Sequence, residues 1–346
     1  MTTYVFDQID PNTPLQIEGA DQVLFHGGPA RLAVATYGLA NGASTVTINF
    51  LGRSVTFDSG VQIASANHNL IFDDGSLLVI GGPRSEQFDG GAGDDALFGG
   101  DGPDTLSGRE GANFIQGNQG DDRLFAGAGA DTLLGGQGAD IIQSTSDVGG
   151  GEAGDFVNGN LGDDTISGGN GADSLLGGQG NDVVFGEAGA DVLDGNRGDD
   201  RVAGDGAAVI LGEDGNDTLT ARGDGATLIG GAGADLFVFV GATDPANGAR
   251  GTITDFAPED TISFNGVMAS HAYAEIVAGD YASALAEAAR ITTTSTDPAR
   301  SGGEVVVAQV GQDLYAFAAF FNSQAPSTAI LITGRTLADI GPGDFA

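Results

Sequence analysis

The sequence predicts an all-β protein built around a stacked repeat array, and three observations carry that expectation. A nine-residue unit recurs from Gly90 to Val238, about 150 of the 346 residues. Its eighth place holds a large aliphatic residue, which a merely disordered Gly/Asp-rich tract has no need of. The flanking segments alternate apolar and polar residues with period two, as strands do.

Residues 1–80 read as an N-terminal antiparallel β-domain. Thr45–Phe50 and Ser54–Phe57, around Leu51-Gly52-Arg53, make one hairpin. Asn69–Phe72 and Leu77–Ile80, around Asp73-Asp74-Gly75, make a second. Shorter strands are expected at Thr3–Phe6, Val23–Phe25 and Leu32–Thr36.

The middle domain, 81–238, holds the array. Its clearest copies are GGAGDDALF (Gly90–Phe98), GGDGPDTLS (Gly99–Ser107), GGQGADIIQ (Gly135–Gln143) and GGQGNDVVF (Gly177–Phe185), a pattern G-G-x-G-x-D-x-U-x with U aliphatic. Sixteen units can be counted, with six extra residues (Ser144–Gly149) after the sixth and one shortened unit, Gly204–Leu211. Glycines at places one, two and four open backbone angles closed to other residues, so a turn can aim its carbonyls inward. Carboxylates and carbonyls are hard oxygen donors suited to Ca²⁺, which takes roughly six to eight of them, more than one turn can give.

This nonapeptide resembles the RTX repeat of secreted bacterial proteins. The resemblance implies a parallel β-roll with calcium in its turns and alternate units on opposite edges. It also implies that each place-six carboxylate is shared with the turn 18 residues away. On one edge the metal ligands would then be Asp104, Asp122, Asp140, Asp164, Asp182, Asp200, Asp217 and Asp235, without a break. On the other they would be Asp95, Asn113, Asp131, Asp155, Asp173 and Asp191, after which the shortened unit and Ala226 lack the carboxylate. Asn keeps an oxygen but no charge, so sites beside Asn113 are expected to be weaker rather than absent. One ion per stacked pair of turns gives roughly twelve Ca²⁺, or about +24 of charge. That offsets most of the net charge of −36, which otherwise opposes compaction.

Place-eight residues such as Leu97, Leu106, Ile115, Leu124 and Val184 are expected to face inward as a thin core. Places seven and nine, including Phe98, Phe114, Phe125, Phe156, Phe185 and Val192, are expected to face out. In rows along a flat sheet such residues make patches of the kind that mark contact surfaces.

The C-terminal domain, 239–346, reads as a capping β-rich part. Leu236–Val240 and Gly251–Phe264 resemble the segment that closes RTX rolls. A short helix at Tyr281–Arg290, a hairpin Glu304–Val310 with Leu314–Phe321, and a strand Ala329–Thr333 follow. Where similar tails carry an Asp/Gly-rich loop, this chain has Phe320-Phe321-Asn322-Ser323-Gln324.

Composition removes several functions. There is no Cys, hence no disulfide or thiolate metal site. All twelve basic residues are Arg, so lysine-dependent phosphate or Schiff-base chemistry is excluded. The acidic charge repels nucleic acid. His26, His68 and His271 are far apart in sequence, and neither H-E-x-x-H nor G-x-S-x-G occurs, so no enzyme is expected. The first residues, MTTYVFD, are not a Sec signal, and no apolar run reaches the ~18 residues of a membrane helix. Composition alone points to the cytosol. The resemblance implies type I export and an extracellular or cell-surface location, where calcium is abundant enough to drive folding.

The function expected is that of an extracellular, non-catalytic, calcium-binding structural protein. It would fold on Ca²⁺ and self-assemble into a surface layer or a biofilm-matrix fibre. An adhesin recognising a protein or a carbohydrate such as a cell-surface polysaccharide is the alternative. An accessory part of a secreted enzyme is the third reading.

Overall fold

The computed structural model describes residues 3–9, 22–40, 43–51, 53–58, 70–72, 74–144, 153–241, 251–264, 273–294, 304–319 and 328–345. By compactness the chain divides into two units, Met1–Ser174 and Leu175–Ala346.

The first unit begins with two small sheets. Val34–Ala40, Ala43–Phe50 and Arg53–Asp58 form an antiparallel meander, as the first hairpin predicts. Thr3–Val5, Gln22–Phe25 and Leu70–Phe72 form a parallel sheet. Between them sits an aromatic core, in which Phe25 stacks on Phe72 at 4.4 Å and meets Phe50 edge-on at 5.5 Å.

The expected second hairpin does not form. Leu70–Phe72 joins Gln22–Phe25, whereas Leu78–Ile80 pairs in parallel with Ala96, Leu97 and Phe98. Leu78, Val79 and Ile80 are all buried, and burial on both faces is what a covered parallel strand requires. Residues 69 and 73 of that hairpin lie outside the described residues.

The rest of this unit is a parallel β-solenoid. Gln87–Gly91, Thr105–Glu110, Arg123–Ala128, Ile141–Gln143 and Thr165–Ser167 stack in one sheet. Leu78–Ile80, Ala96–Asp101, Phe114–Gln119, Thr132–Gln137 and Phe156–Leu161 stack in the other. Pairs such as Leu106↔Leu124 and Leu97↔Ile115 fix a step of two repeats. Leu133 pairs with Val157, so the strand register is kept across the six extra residues. Leu97, Leu106, Ile115, Leu124, Leu133 and Ile142 are fully buried between the sheets.

One outward residue departs from expectation. Phe98 is fully buried, because the first turns of the roll are covered by the N-terminal aromatic core, to which Phe98 and Phe114 belong. Further along, Phe156 and Val192 are 40% and 47% exposed.

The second unit repeats the design. Val183–Phe185, Arg201–Asp205, Thr218–Arg222, Leu236–Val240 and Thr261–Phe264 form one parallel sheet. Val192–Arg197, Val209–Asp214, Ala226–Ala232 and Gly251–Ile253 form the other. The ladder thus runs past 238 to Phe264, whose ring stacks against Phe345.

Gly251–Ile253 also pairs with Thr328–Ile332, which leads into the strands Asp313–Ala319, Glu304–Val310 and Tyr273–Ala278. The helix Tyr281–Thr294 buries Ala284 and Ala288 against Val306, Ala308, Phe317 and Ala329 of that sheet. Residues 320–324 lie outside the described residues.

Candidate calcium-binding edges

Each place-six carboxylate sits in the turn that closes one edge of a roll, and its two oxygens have different tasks. Oδ1 accepts the backbone N–H of the place-six residue one turn earlier. On one edge of the first unit these bonds run Glu86 to Asp104, Asp104 to Asp122, Asp122 to Asp140 and Asp140 to Asp164, each at 2.8 Å. In the second unit the ladder runs Asp182 to Asp200, Asp200 to Asp217, Asp217 to Asp235 and Asp235 to Asp260, at 2.7–3.0 Å. The opposite edge of the first unit runs Leu77 to Asp95, Asp95 to Asn113, Asn113 to Asp131, Asp131 to Asp155 and Asp155 to Asp173, at 2.6–3.0 Å. The structure therefore sorts these residues onto edges as the repeat count requires. Asp164, Asp173, Asp182 and Asp191 are buried at the same place of their turns.

Oδ2 is the functional atom. At Asp95, Asp104, Asp122, Asp131, Asp140, Asp200, Asp217 and Asp235 it is buried and takes no hydrogen bond. An ionised oxygen in that position is costly without a counter-charge. It also lies against other oxygens. A Cβ built on Gly117 would collide with Asp122 Oδ2 and come within 2.6 Å of the Gly135 carbonyl oxygen. Gly99, Gly135 and Gly212 repeat this arrangement with Asp104, Asp140 and Asp217. Glycine at place one thus keeps open a small space bounded by a carboxylate and a carbonyl. Gly117→Ala is expected to lower the calcium-loaded melting temperature by several degrees, on the order of 1–3 kcal/mol. Thermal melts at fixed calcium measure it.

Burial, opposed by the backbone hydrogen bond and reinforced by neighbouring carboxylates, raises these groups above the ordinary aspartate range. Asp140 is pushed up to about 8, Asp104 and Asp217 to about 7, and Asp95, Asp122, Asp131, Asp164 and Asp200 to about 6. The desolvation that opposes ionisation is relieved by a cation. Among the described residues no three His, Cys, Asp or Glu side chains gather into a cluster. The donor set is instead one carboxylate per turn with backbone carbonyls of stacked turns, the oxygen chemistry of Ca²⁺. These residues fit that ion.

Four stations on the second edge differ. Asn113 uses Oδ1 like its neighbours, but its Nδ2 stands where the others hold Oδ2, donating to the Gly111 carbonyl at 3.2 Å. Asp155 Oδ2 accepts the hydroxyl of Ser144, the first residue of the six-residue insertion. Ala208 and Ala226 fill place six with buried methyl groups.

Sequence reasoning missed one further station in each unit. Glu86 and Asp260 stand at place six of degenerate units, GGPRSEQFD (81–89) and DFAPEDTIS (255–263). Each spends its carboxylate on its own turn, Glu86 on the Gly82 N–H at 3.0 Å and Asp260 on the Ala257 N–H at 2.6 Å. The signal was present: both units keep an acid at place six and an apolar residue, Phe88 or Ile262, at place eight.

Residues 80–115, 107–142, 149–184, 176–208 and 202–237 match a family model described as RTX calcium-binding nonapeptide repeat (4 copies). No curated protein matches. A solved structure similar to this chain is the extracellular lipase LipA from Serratia marcescens, at 16% identity and a TM-score of 0.19. The likeness covers 68% of this chain and 44% of that one, so the chain spans less than half of that protein's length.

Proposed function

We propose, from the premise that this chain is an RTX-type protein carrying calcium-binding nonapeptide repeats, that it is an extracellular structural protein whose fold is completed by calcium. The observation that carries the reading is the row of buried Oδ2 atoms without hydrogen-bond partners. They supply a place for cations and a reason the fold needs them. The ligands are the place-six aspartates from Asp95 to Asp235, with carbonyls of the stacked turns. An N-terminal β-domain, the roll and a C-terminal cap carrying an export signal make up the chain. Export by a type I route keeps the repeats unfolded until they meet extracellular calcium.

The job assigned here is self-assembly into a layer or filament, without catalysis. Apolar side chains on the outer sheet faces, Phe156 and Val192 above all, support it, because they remain open to solvent in the single chain. A net charge of −36 opposes contact between copies, and bound calcium reduces that opposition. A head-to-tail contact that does not close would propagate. Light scattering of the purified protein in millimolar calcium is expected to show growth above monomer, abolished by Phe156→Asp with Val192→Asp while calcium-induced folding persists. A wild-type protein that stays monomeric would favour the adhesin reading.

A further inference from the structure

We infer that two stations on the second edge hold no calcium, because hydrogen-bond donors of the chain itself occupy the ion's role: the Asn113 amide and the Ser144 hydroxyl. The inference rests on the calcium reading of the other turns and departs from it at these two.

At Asn113 the orientation of the amide is dictated by its surroundings. Oδ1 accepts the Asp95 N–H at 3.0 Å, the same bond each aspartate makes, so a flipped amide would set NH₂ against N–H. Nδ2 is thereby aimed into the turn, where a Cβ on Gly108 would meet it at 2.5 Å, as a Cβ on other place-one glycines meets a carboxylate oxygen. An NH₂ group is a donor with no lone pair for a metal, and here it binds the Gly111 carbonyl, itself an oxygen of the turn. The expectation that Asn113 supplies an oxygen to the ion is therefore replaced: its oxygen is committed to the backbone.

A second observation points the same way. Place two of this unit is Arg109, at φ +75°, where half of the copies have glycine. Its guanidinium grips Asp89 with two bonds of 3.1 and 3.2 Å. This turn has lost the negative charge that place six otherwise carries, and the cation beside it belongs to the chain itself.

Ser144 stands in the slot of a place-one glycine, since its N–H donates to the Ser167 carbonyl at 2.9 Å as Gly186 does to Ala203. There its hydroxyl reaches Asp155 Oδ2 and satisfies the oxygen that Asp131 leaves without a partner. The insertion begins at Ser144, so its first residue bonds the place-six carboxylate of the unit that comes after it.

The test is the number of calcium ions bound per full-length chain, by native mass spectrometry and equilibrium dialysis. Asn113→Asp and Ser144→Gly are each expected to raise the count by about one, since each restores the repeat's own donor set. Asn113→Ala is expected to leave the count unchanged. Asp122→Asn, on the opposite edge of the first unit, is expected to lower it. If Asp122→Asn lowers the count but Asn113→Asp and Ser144→Gly do not raise it, or if Asn113→Ala loses an ion, the inference fails while the calcium reading stands. If Asp122→Asn changes nothing, both fail.

Discussion

Withdrawing calcium is expected to unfold the repeat region. Far-UV circular dichroism should pass from β-sheet to coil when calcium is removed, and return as calcium rises through about 0.1–1 mM, the range of extracellular oxygen sites. The argument is one of charge. Most turns bury a carboxylate, and along an edge these carboxylates stack at every second repeat. The N–H···Oδ1 ladder orients them and leaves Oδ2 of residues such as Asp95, Asp122, Asp140 and Asp217 without a hydrogen bond. With a cation, Oδ2 becomes a ligand and the repulsion becomes attraction. Without one, the chain must expose the carboxylates or protonate them. The core offers little resistance, because only one apolar residue per nonapeptide points between the sheets. Ion-binding free energy is here folding free energy. A chain equally rich in β-structure at neutral pH without calcium would overturn the reading.

How much of this was legible in advance follows from what sets each feature. A strict period of nine with one aliphatic place declares its own register, so the edge on which Asp104 or Asp131 lies could be counted. Inward burial of Leu106 or Ile115 follows from the same count. Features set by distant contacts could not be counted. Leu70–Phe72 and Leu78–Ile80 look like hairpin partners, yet each finds a parallel neighbour elsewhere, one in the aromatic core and one in the roll. Phe98 occupies an outward place, and only the packing of the N-terminal sheets over the first turns explains its burial. At the candidate sites, residue type was legible and orientation was not. Asn113 looks like a weaker ligand until the bond to Asp95 shows which end of its amide faces the turn. Ser144 looks like the start of an insertion until its hydroxyl is seen on Asp155. Glu86 and Asp260 were readable by spacing, but Arg84 and Pro258 in the place-four glycine position hid the units to which they belong.

Acid is expected to substitute in part for calcium. In the metal-free protein the folded-state pKa values of the place-six aspartates lie above the unfolded value of about 3.9. They reach about 6 at Asp122 and Asp131, about 7 at Asp104 and Asp217, and about 8 at Asp140, with burial as the main cause. A group whose pKa is raised on folding binds its proton more tightly in the folded state. Its contribution is fully present below the unfolded pKa and is lost as pH rises through the folded one. The window is therefore about pH 4 to 8, and stability falls across it. Without calcium, β-structure should therefore be recovered as pH falls from 8 to 5, since several groups titrate together. Calcium reverses the trend, because the ion competes with the proton for the same oxygens and binds only the charged form. In millimolar calcium the melting temperature should rise from pH 5 to pH 8, and calcium addition near pH 6 should release protons. Circular dichroism without calcium and melts with it, each at pH 5 and pH 8, should show opposite trends, the signature of one set of oxygens serving both cations. A metal-free β-content that does not rise as pH falls would mean that these carboxylates are not buried in the folded chain, and the calcium sites built on them would fall with it.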